Sequence, residues 1–341
     1  MILAESVSLA DKLRFLGAPA AYASSPASVE TIETHMSFVF LAGARAYKLK
    51  KPVRYPFLDF STTAARERDC REELRLNRRL APDVYLGLLP LTAEDGRLSI
   101  GGEGRVVDWL VEMRRLPRDR MLDRLIVEGK VSDAQLEAIC DTLARFYRAA
   151  ERSTMTPEDY GARFLAEMRI NRDVLTRDDF LHRAQAARLL DRLDAALISA
   201  RPMLEARVRE SCVVDGHGDL RPEHVCLNTP IEIFDCLEFN ADLRQVDPFD
   251  EIALLGVECA QLGAPHLLNR FARDLAAHLD APAPRALVAL YGAWRAALRA
   301  RLSFAHLLEP APRTPDKWAG LAQRYLAIGE RLLEEETQWS S

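Results

Sequence analysis

The sequence predicts an α+β chain with a β-rich N-terminal part and a larger helical C-terminal part. Three observations predict it. Residues 29 to 50 carry three short β-prone runs, Val29 to Ile32, Phe38 to Leu41 and Arg45 to Lys50, separated by polar or glycine-containing breaks. From Ser132 onward helical periodicity dominates. Residues 212 to 239 return briefly to strand-like runs inside that helical part. Strands first and helices afterwards imply segregated layers, with a boundary near residues 110–117.

The elements follow in order. Ala42-Gly43-Ala44 is the connection of a hairpin between the second and third runs. Ser61-Thr62-Thr63 is a natural N-cap for a charged helix over about 64–80, with Leu76 and Leu80 on its apolar stripe and Pro82 as its stop. Strand-like runs over Leu86 to Leu89 and Arg105 to Met113 flank the turn Glu94-Asp95-Gly96. Beyond Pro117, Leu136, Ile139, Leu143, Phe146 and Tyr147 mark one face of a helix over 132–150. Helices continue to about Arg209. Short strands then fall at Cys212 to Val214, Val225 to Leu227 and Ile231 to Phe234, and residues 249 to about 336 are helical again.

Bulk properties narrow the function classes. The 341 residues carry a net charge of -5, which gives no support for general nucleic-acid or membrane-surface binding. Six scattered cysteines without a Cys-x-x-Cys pair read as reduced thiols, not as a disulfide framework or a zinc site. The start Met1-Ile2-Leu3-Ala4-Glu5 lacks a secretory pattern, and no apolar run approaches the roughly 20 residues needed to span a bilayer. A cytoplasmic protein without membrane or nucleic-acid partners is expected.

The most informative stretch is His217-Gly218-Asp219-Leu220-Arg221-Pro222-Glu223-His224-Val225, followed by Ile233-Phe234-Asp235. A strand delivers Asp219 into a loop, and a later strand presents Asp235. Phosphoryl transfer needs such a pair. One carboxylate orients the attacking hydroxyl as base, and the other holds Mg²⁺ against nucleotide phosphates. A hairpin with a turn Asp and a capping Asp is the competing account.

This segment resembles the His-Gly-Asp-x-x-x-x-Asn motif of aminoglycoside phosphotransferases and related small-molecule kinases. Upstream, His35-Met36-Ser37-Phe38-Val39-Phe40-Leu41, Ala46-Tyr47-Lys48-Leu49-Lys50-Lys51-Pro52, Phe57-Leu58-Asp59-Phe60-Ser61-Thr62 and the helix around Glu72-Glu73-Leu74-Arg75 are similar to a bacterial subfamily of unknown substrate. That subfamily is sometimes fused to a P-loop kinase domain. No Gly-x-x-x-x-Gly-Lys-Ser/Thr occurs in this sequence, so the fused domain is expected to be absent.

The resemblance implies a two-lobed protein-kinase-like fold, with a nucleotide-binding lobe over 1–110, a hinge over 111–116 and a helical lobe over 117–341. It implies ATP or GTP with Mg²⁺ as cofactors and a small-molecule acceptor. Lys48 would neutralise phosphates, with Lys50 on the same strand face as the fallback. A solvated edge strand would show the same lysines. Glu73 would pair with Lys48, Glu72 and Glu67 being alternatives. Backbone groups of Val111 and Met113 would meet an adenine edge, although an ordinary buried strand has the same pattern. The turn Thr34-His35-Met36-Ser37 replaces the usual glycine-rich loop, with the hydroxyls of Thr34 and Ser37 covering phosphates. His217 would order the catalytic loop. His224 stands where the metal-binding Asn is expected, and an imidazole prefers softer ions than Mg²⁺. It is a candidate metal ligand beside Asp235, a phosphate contact, or a sign that a second metal is missing. Asp247 and Asp250 resemble loop-bracing acids, and helix capping explains them equally well. Glu223, Glu238 and Asp242 would suit a cationic acceptor.

Two other classes compete. A nucleotide-binding interaction module without turnover is favoured by His224 and the missing glycines. A His/Asp metal-dependent phosphohydrolase would use His217, Asp219, His224 and Asp235, but leaves Lys48 without a role.

Overall fold

The computed structural model describes residues 7–55, 58–309, 312 and 314–339, and the side chains of 335–339 are left aside. Phe57 of the motif above lies outside the described residues. The chain divides into two compact units. The first runs to Arg120 and takes in Asn228–Ala241; the second comprises Met121–Leu227 and the chain from Asp242 onward.

The first unit is built on a six-stranded antiparallel sheet. Its strands are β1 (Val29–Glu33), β2 (Ser37–Ala42), β3 (Arg45–Lys50), β6 (Tyr85–Glu94), β7 (Arg97–Ile100) and β8 (Arg105–Arg114), in the order β1-β2-β3-β8-β6-β7. A short pair, β4 (Arg54–Tyr55) and β5 (Leu58–Asp59), stands apart from it. Alternation along β3 decides what each sheet face holds. Tyr47 and Leu49 join Phe40, Leu110 and Leu16 on one face, where helix α1 (Leu9–Leu16) packs. Ala46 joins Cys70, Leu74, Tyr85 and Val111 on the other, where helix α2 (Thr63–Asn77) packs. Lys48 and Lys50 share the parity of Ala46, and so meet α2.

Local chemistry explains the element ends. The Thr62 hydroxyl caps α2 by accepting the Ala65 N–H. The β2–β3 hairpin turns through Gly43 at φ 62°. The β6–β7 hairpin turns through Asp95 at φ 46° and Gly96 at φ 74°. Helix α2 ends at Asn77, several residues ahead of Pro82. Strand β7 and helix α1 were not among the expected elements, although Ser8 caps α1 by accepting the Asp11 N–H and Leu9, Leu13 and Leu16 recur at helical spacing.

The second unit is helical: α3 (Leu122–Val127), α4 (Asp133–Ala149), α5 (Pro157–Leu175), α6 (Arg183–Arg209), α7 (Pro248–Gln261), α8 (Leu267–Leu279), α9 (Arg285–Ala305) and α10 (Pro315–Trp339). Ser132 and Gln135 form a capping box at the start of α4. The small β insert supplies β9 (Val214–Asp215) and β10 (Val225–Cys226), and β12 (Gln245–Val246) pairs antiparallel with β9.

The structure differs from the expected layout in two places. The expected hinge residues Val111 and Met113 lie within β8, opposite Lys48 and Ala46 of β3 on one side and Leu88 and Tyr85 of β6 on the other. Their backbone groups belong to the sheet ladder, because a strand with neighbours on both sides uses its donors and acceptors internally. The segment 228–241, with its strand β11 (Glu232–Ile233) and Asp235, belongs to the first unit. It is tied there by Arg114 to Glu232, by the Cys236 N–H to Asn77 Oδ1 at 2.8 Å, and by Phe234 packing on the α2 side of the sheet.

Candidate active site

The first unit gathers a buried cluster of two lysines and four carboxylates. Lys48 Nζ donates to Glu73 Oε1 and to Asp235 Oδ1, each at 2.8 Å. Lys50 Nζ, whose side chain is 1% exposed, lies 2.7 Å from Glu73 Oε2 and 2.8 Å from Asp69 Oδ2, and also pairs with Glu238. Asp69 and Glu73 stand four residues apart, so α2 presents both on the face that meets β3. Glu73 therefore bridges the lysines, one carboxylate oxygen to each. The contacts of Lys50 with Glu73 Oε2 and Asp69 Oδ2 are ion pairs by distance but lack hydrogen-bond alignment.

Electrostatics follow from that packing. Burial alone would lower the Lys48 ammonium, but Asp235, Glu73 and Glu238 hold it well above the ordinary lysine value. Burial would raise the Glu73 carboxyl, and Lys48 with Lys50 outweighs it and holds Glu73 below the usual range. Glu238 goes the other way. Burial, with Glu73 and Asp69 nearby, pushes it up to about 7 despite Lys50.

Asp235 has a left-handed backbone, φ 60°, which disfavours a residue with a Cβ by about 1–2 kcal/mol. Its neighbours hold that conformation. The Asp235 N–H donates to Tyr85 Oη at 3.1 Å, and Asn77, which receives the Cys236 N–H, donates in turn to the Glu73 carbonyl at 2.9 Å. The Asp235 side chain remains 41% exposed. Asp235 is thus held on the same rigid base as Lys48.

The turn Thr34 to Ser37 connects β1 and β2. The Thr34 hydroxyl accepts the Ser37 N–H and donates to the Ser37 carbonyl, both at 3.0 Å. Its geometry is fixed by its own side chain. Lys51 binds the Thr34 carbonyl at 2.6 Å and Glu33 at 2.7 Å. A surface cavity of about 920 Å³ opens between α2 and the β4–β5 pair, reaching Asp69 and Glu238 but not Lys48.

The second unit holds the loop from His217 to His224. Glu251, in the first turn of α7, lies beneath it. The carboxylate accepts the His217 N–H at 3.1 Å, the Gly218 N–H, and the Tyr147 hydroxyl at 2.8 Å. Gly218 has φ 85°, the conformation glycine favours, and a Cβ at Gly216 would fall 2.8 Å from Glu251 Oε2. Sequence reasoning missed Glu251; the only signal was its place in the acidic run after Val246. The acids singled out instead have other work. Asp247 caps α7 through the Phe249 N–H and pairs with Arg207, while Asp250 makes a bidentate pair with Arg295 at 2.7 Å.

His217 is fully buried, and its Nδ1 accepts the Asp219 N–H at 3.3 Å. The Asp219 carboxylate accepts from Arg221 Nε at 3.1 Å. Burial would raise Asp219, but the Arg221 guanidinium beside it outweighs that and holds it below the ordinary aspartate value. It is therefore ionised at neutral pH and suited to accept a hydrogen bond from a hydroxyl. His224, expected as a candidate metal ligand, has both ring nitrogens engaged: Nδ1 with the Asp219 carbonyl at 2.9 Å and Nε2 with Arg221 at 3.1 Å. Of the carboxylates expected to suit a cationic acceptor, Glu223 is paired with Arg221 at 2.7 Å and Glu238 with Lys50; Asp242 is exposed.

Among the described residues no group of three or more His, Cys, Asp or Glu is arranged to hold a metal ion, and no helix is long and apolar enough to cross a membrane. For Mg²⁺, Asp235 offers the hard oxygen donor this ion prefers, on a partly exposed side chain. His224 does not fit such a site, being a nitrogen donor already engaged on both sides.

Solved structures share this fold. A choline/ethanolamine kinase family protein from Mesorhizobium loti matches with TM-score 0.57 and 15% identity, over 97% of each chain. A choline kinase from Cryptosporidium parvum matches with TM-score 0.56 and 10% identity, over 95% of each chain. A GDP complex of aminoglycoside 2'-phosphotransferase-IIIa matches with TM-score 0.51 and 16% identity, over 93% of this chain and 94% of that one. The fold is thus the α+β protein-kinase-like fold that these structures share, as the motif resemblance implies. No family model matches the chain. Uncharacterized proteins of Mycobacterium bovis and Mycobacterium tuberculosis are 34% identical over 319 residues, which is 91% of this chain and 60% of theirs. The chain therefore spans about three fifths of the length of these curated relatives.

Proposed function

We propose that the protein is a nucleotide-dependent phosphotransferase that moves the γ-phosphoryl group of ATP or GTP to a hydroxyl of a small molecule. The observation that carries this reading is Lys48, held between Glu73 and Asp235 with 2.8 Å to each. A lysine fixed between a helix carboxylate and a partly exposed aspartate is the phosphate-binding arrangement of kinase chemistry. In the second unit, the low-lying Asp219 carboxylate on a loop braced by Glu251 suits the role of base.

Each residue then has a role. Lys48 binds and orients phosphate oxygens. Glu73 aims Lys48, and Lys50 keeps Glu73 ionised from the other side. Asp219 accepts a hydrogen bond from the acceptor hydroxyl and takes its proton as the O–P bond forms; the nucleoside diphosphate leaves with the electrons of the broken bond. A carboxylate below its usual pKa is a weak base, so orientation is its larger contribution, as suits a loose transition state. Bound Mg²⁺, held by Asp235, would supply charge neutralisation on the phosphates. Glu223 and Glu238 are already paired with Arg221 and Lys50, so they give no basis for a cationic acceptor.

The test is nucleotide consumption with Mg²⁺ over a panel of alcohols, amino alcohols and sugars, with Asp219→Asn alongside. Stimulation of ATP or GTP turnover by a hydroxyl compound, lost in D219N, is expected. Turnover that D219N retains in full would remove Asp219 from the mechanism.

A further inference from the structure

The loop that carries Asp219 ends in a hydrogen-bond relay whose proton position can be deduced. Arg221 donates through all three guanidinium nitrogens: Nε to Asp219 Oδ2 at 3.1 Å, one terminal nitrogen to Glu223 Oε1 at 2.7 Å, and the other to His224 Nε2 at 3.1 Å. A guanidinium has no acceptor, so His224 Nε2 must be the unprotonated nitrogen. The ring proton then resides on Nδ1, where the Asp219 carbonyl stands 2.9 Å away to accept it. The residue is 5% exposed, and its ring is inclined 29° to that of His217 at a centroid distance of 6.1 Å. Arg221 thus grips Asp219 by its side chain, and His224 grips it by its backbone. The two are joined to each other.

We propose that Arg221 and neutral His224, as its Nδ1–H tautomer, form a strut that fixes Asp219 by side chain and backbone together, so that His224 is a positioning residue and not a metal ligand. This rests on the phosphotransferase reading only for the consequence to turnover; the strut itself is a property of the loop. Magnesium binding at His224 would require it to give up Nε2 from Arg221 or Nδ1 from the Asp219 carbonyl. Either loss would release one of the two holds on Asp219. An imidazole nitrogen is in any case a poor exchange for an oxygen donor at Mg²⁺.

The experiment is ¹⁵N-histidine NMR on the full chain at neutral pH, with the His224 signals assigned by their loss in His224→Gln. The strut predicts an Nδ1–H tautomer in the wild type, with or without nucleotide and Mg²⁺. Arg221→Gln should lose that fixed tautomer, and Arg221→Lys should restore it in part. Where turnover is measurable, R221Q should lower kcat by roughly tenfold or more with little change in nucleotide KM, the sign of lost positioning. An Nε2–H tautomer in the wild type, or a His224 signal unchanged by R221Q, overturns the strut. If R221Q does not fold, the wild-type tautomer alone decides. If no nucleotide binds, the phosphotransferase reading fails while the tautomer measurement still stands.

Discussion

Lys48 Nζ lies 2.8 Å from Asp235 Oδ1, although 187 positions separate them in the chain. The same ammonium meets Glu73 at the same distance, so the lysine is pinned from two sides before any ligand arrives. Pre-organisation of this kind reduces the reorganisation needed at the moment of transfer. Replacing Lys48 with Met should weaken nucleotide binding about 10- to 100-fold, the loss of one charge-assisted phosphate contact. Calorimetric titration of K48M against the wild type measures it.

Lys50 should matter more for folding than for catalysis. It is 1% exposed and faces Asp69, Glu73 and Glu238. Lys50→Met leaves those carboxylates buried without their shared cation, which should cost about 3–5 kcal/mol of stability. Urea unfolding of K50M reads the effect as a lower midpoint at unchanged slope.

Glu238 gives the cluster a pH dependence of definite sign. Its carboxyl is raised from 4.5 to about 7 in the folded protein, so the folded state binds the proton more tightly than the unfolded state does. Its contribution is complete below pH 4.5 and is lost as pH rises through about 7. Glu238→Gln removes that dependence. Relative to E238Q, the wild type should lose stability between pH 5 and 8, by on the order of 3 kcal/mol at most. Thermal midpoints across that range check it.

Glu251 should act on turnover without touching the nucleotide. It receives two loop N–H groups and the Tyr147 hydroxyl. Glu251→Gln places an amide donor against one of those donors and should loosen the loop. A fall in kcat of about 10- to 100-fold with nucleotide affinity kept is expected, because misplacing a base by an ångström has that effect. Turnover and binding of E251Q, measured together, separate the two.

How much of this was legible in the sequence depends on whether local pattern or distant packing decides. Strands β2 and β3 and helix α4 carry clear periodicity and a capping box, and they appear where expected. The parity of Lys48 and Lys50 placed both on one face of β3. Helix α1 carries local signals, the Ser8 cap and the spacing of Leu9, Leu13 and Leu16, but where it packs depends on distant partners: Lys12 reaches Asp108 at 2.7 Å, and Leu16 is buried against the sheet. The hinge reading of Val111 and Met113 could not be separated from that of an ordinary strand, since a buried central strand and a ligand-edge segment share one apolar pattern; both residues pair within β8. Glu251 was invisible because nothing in an acidic helix start shows which carboxylate turns inward. The state of His224 could not be read from its position in the motif; it follows from the guanidinium that faces it.

The proposed phosphotransferase has a nucleotide site in which Asp235 would serve the metal. Isothermal titration of ATP and of GTP into the wild type and Asp235→Asn, each with and without Mg²⁺, tests it most directly. One nucleotide should bind the wild type, Mg²⁺ should tighten it, and D235N should lose the Mg²⁺ effect. Absence of binding by both nucleotides, or an equal Mg²⁺ effect in D235N, would contradict it.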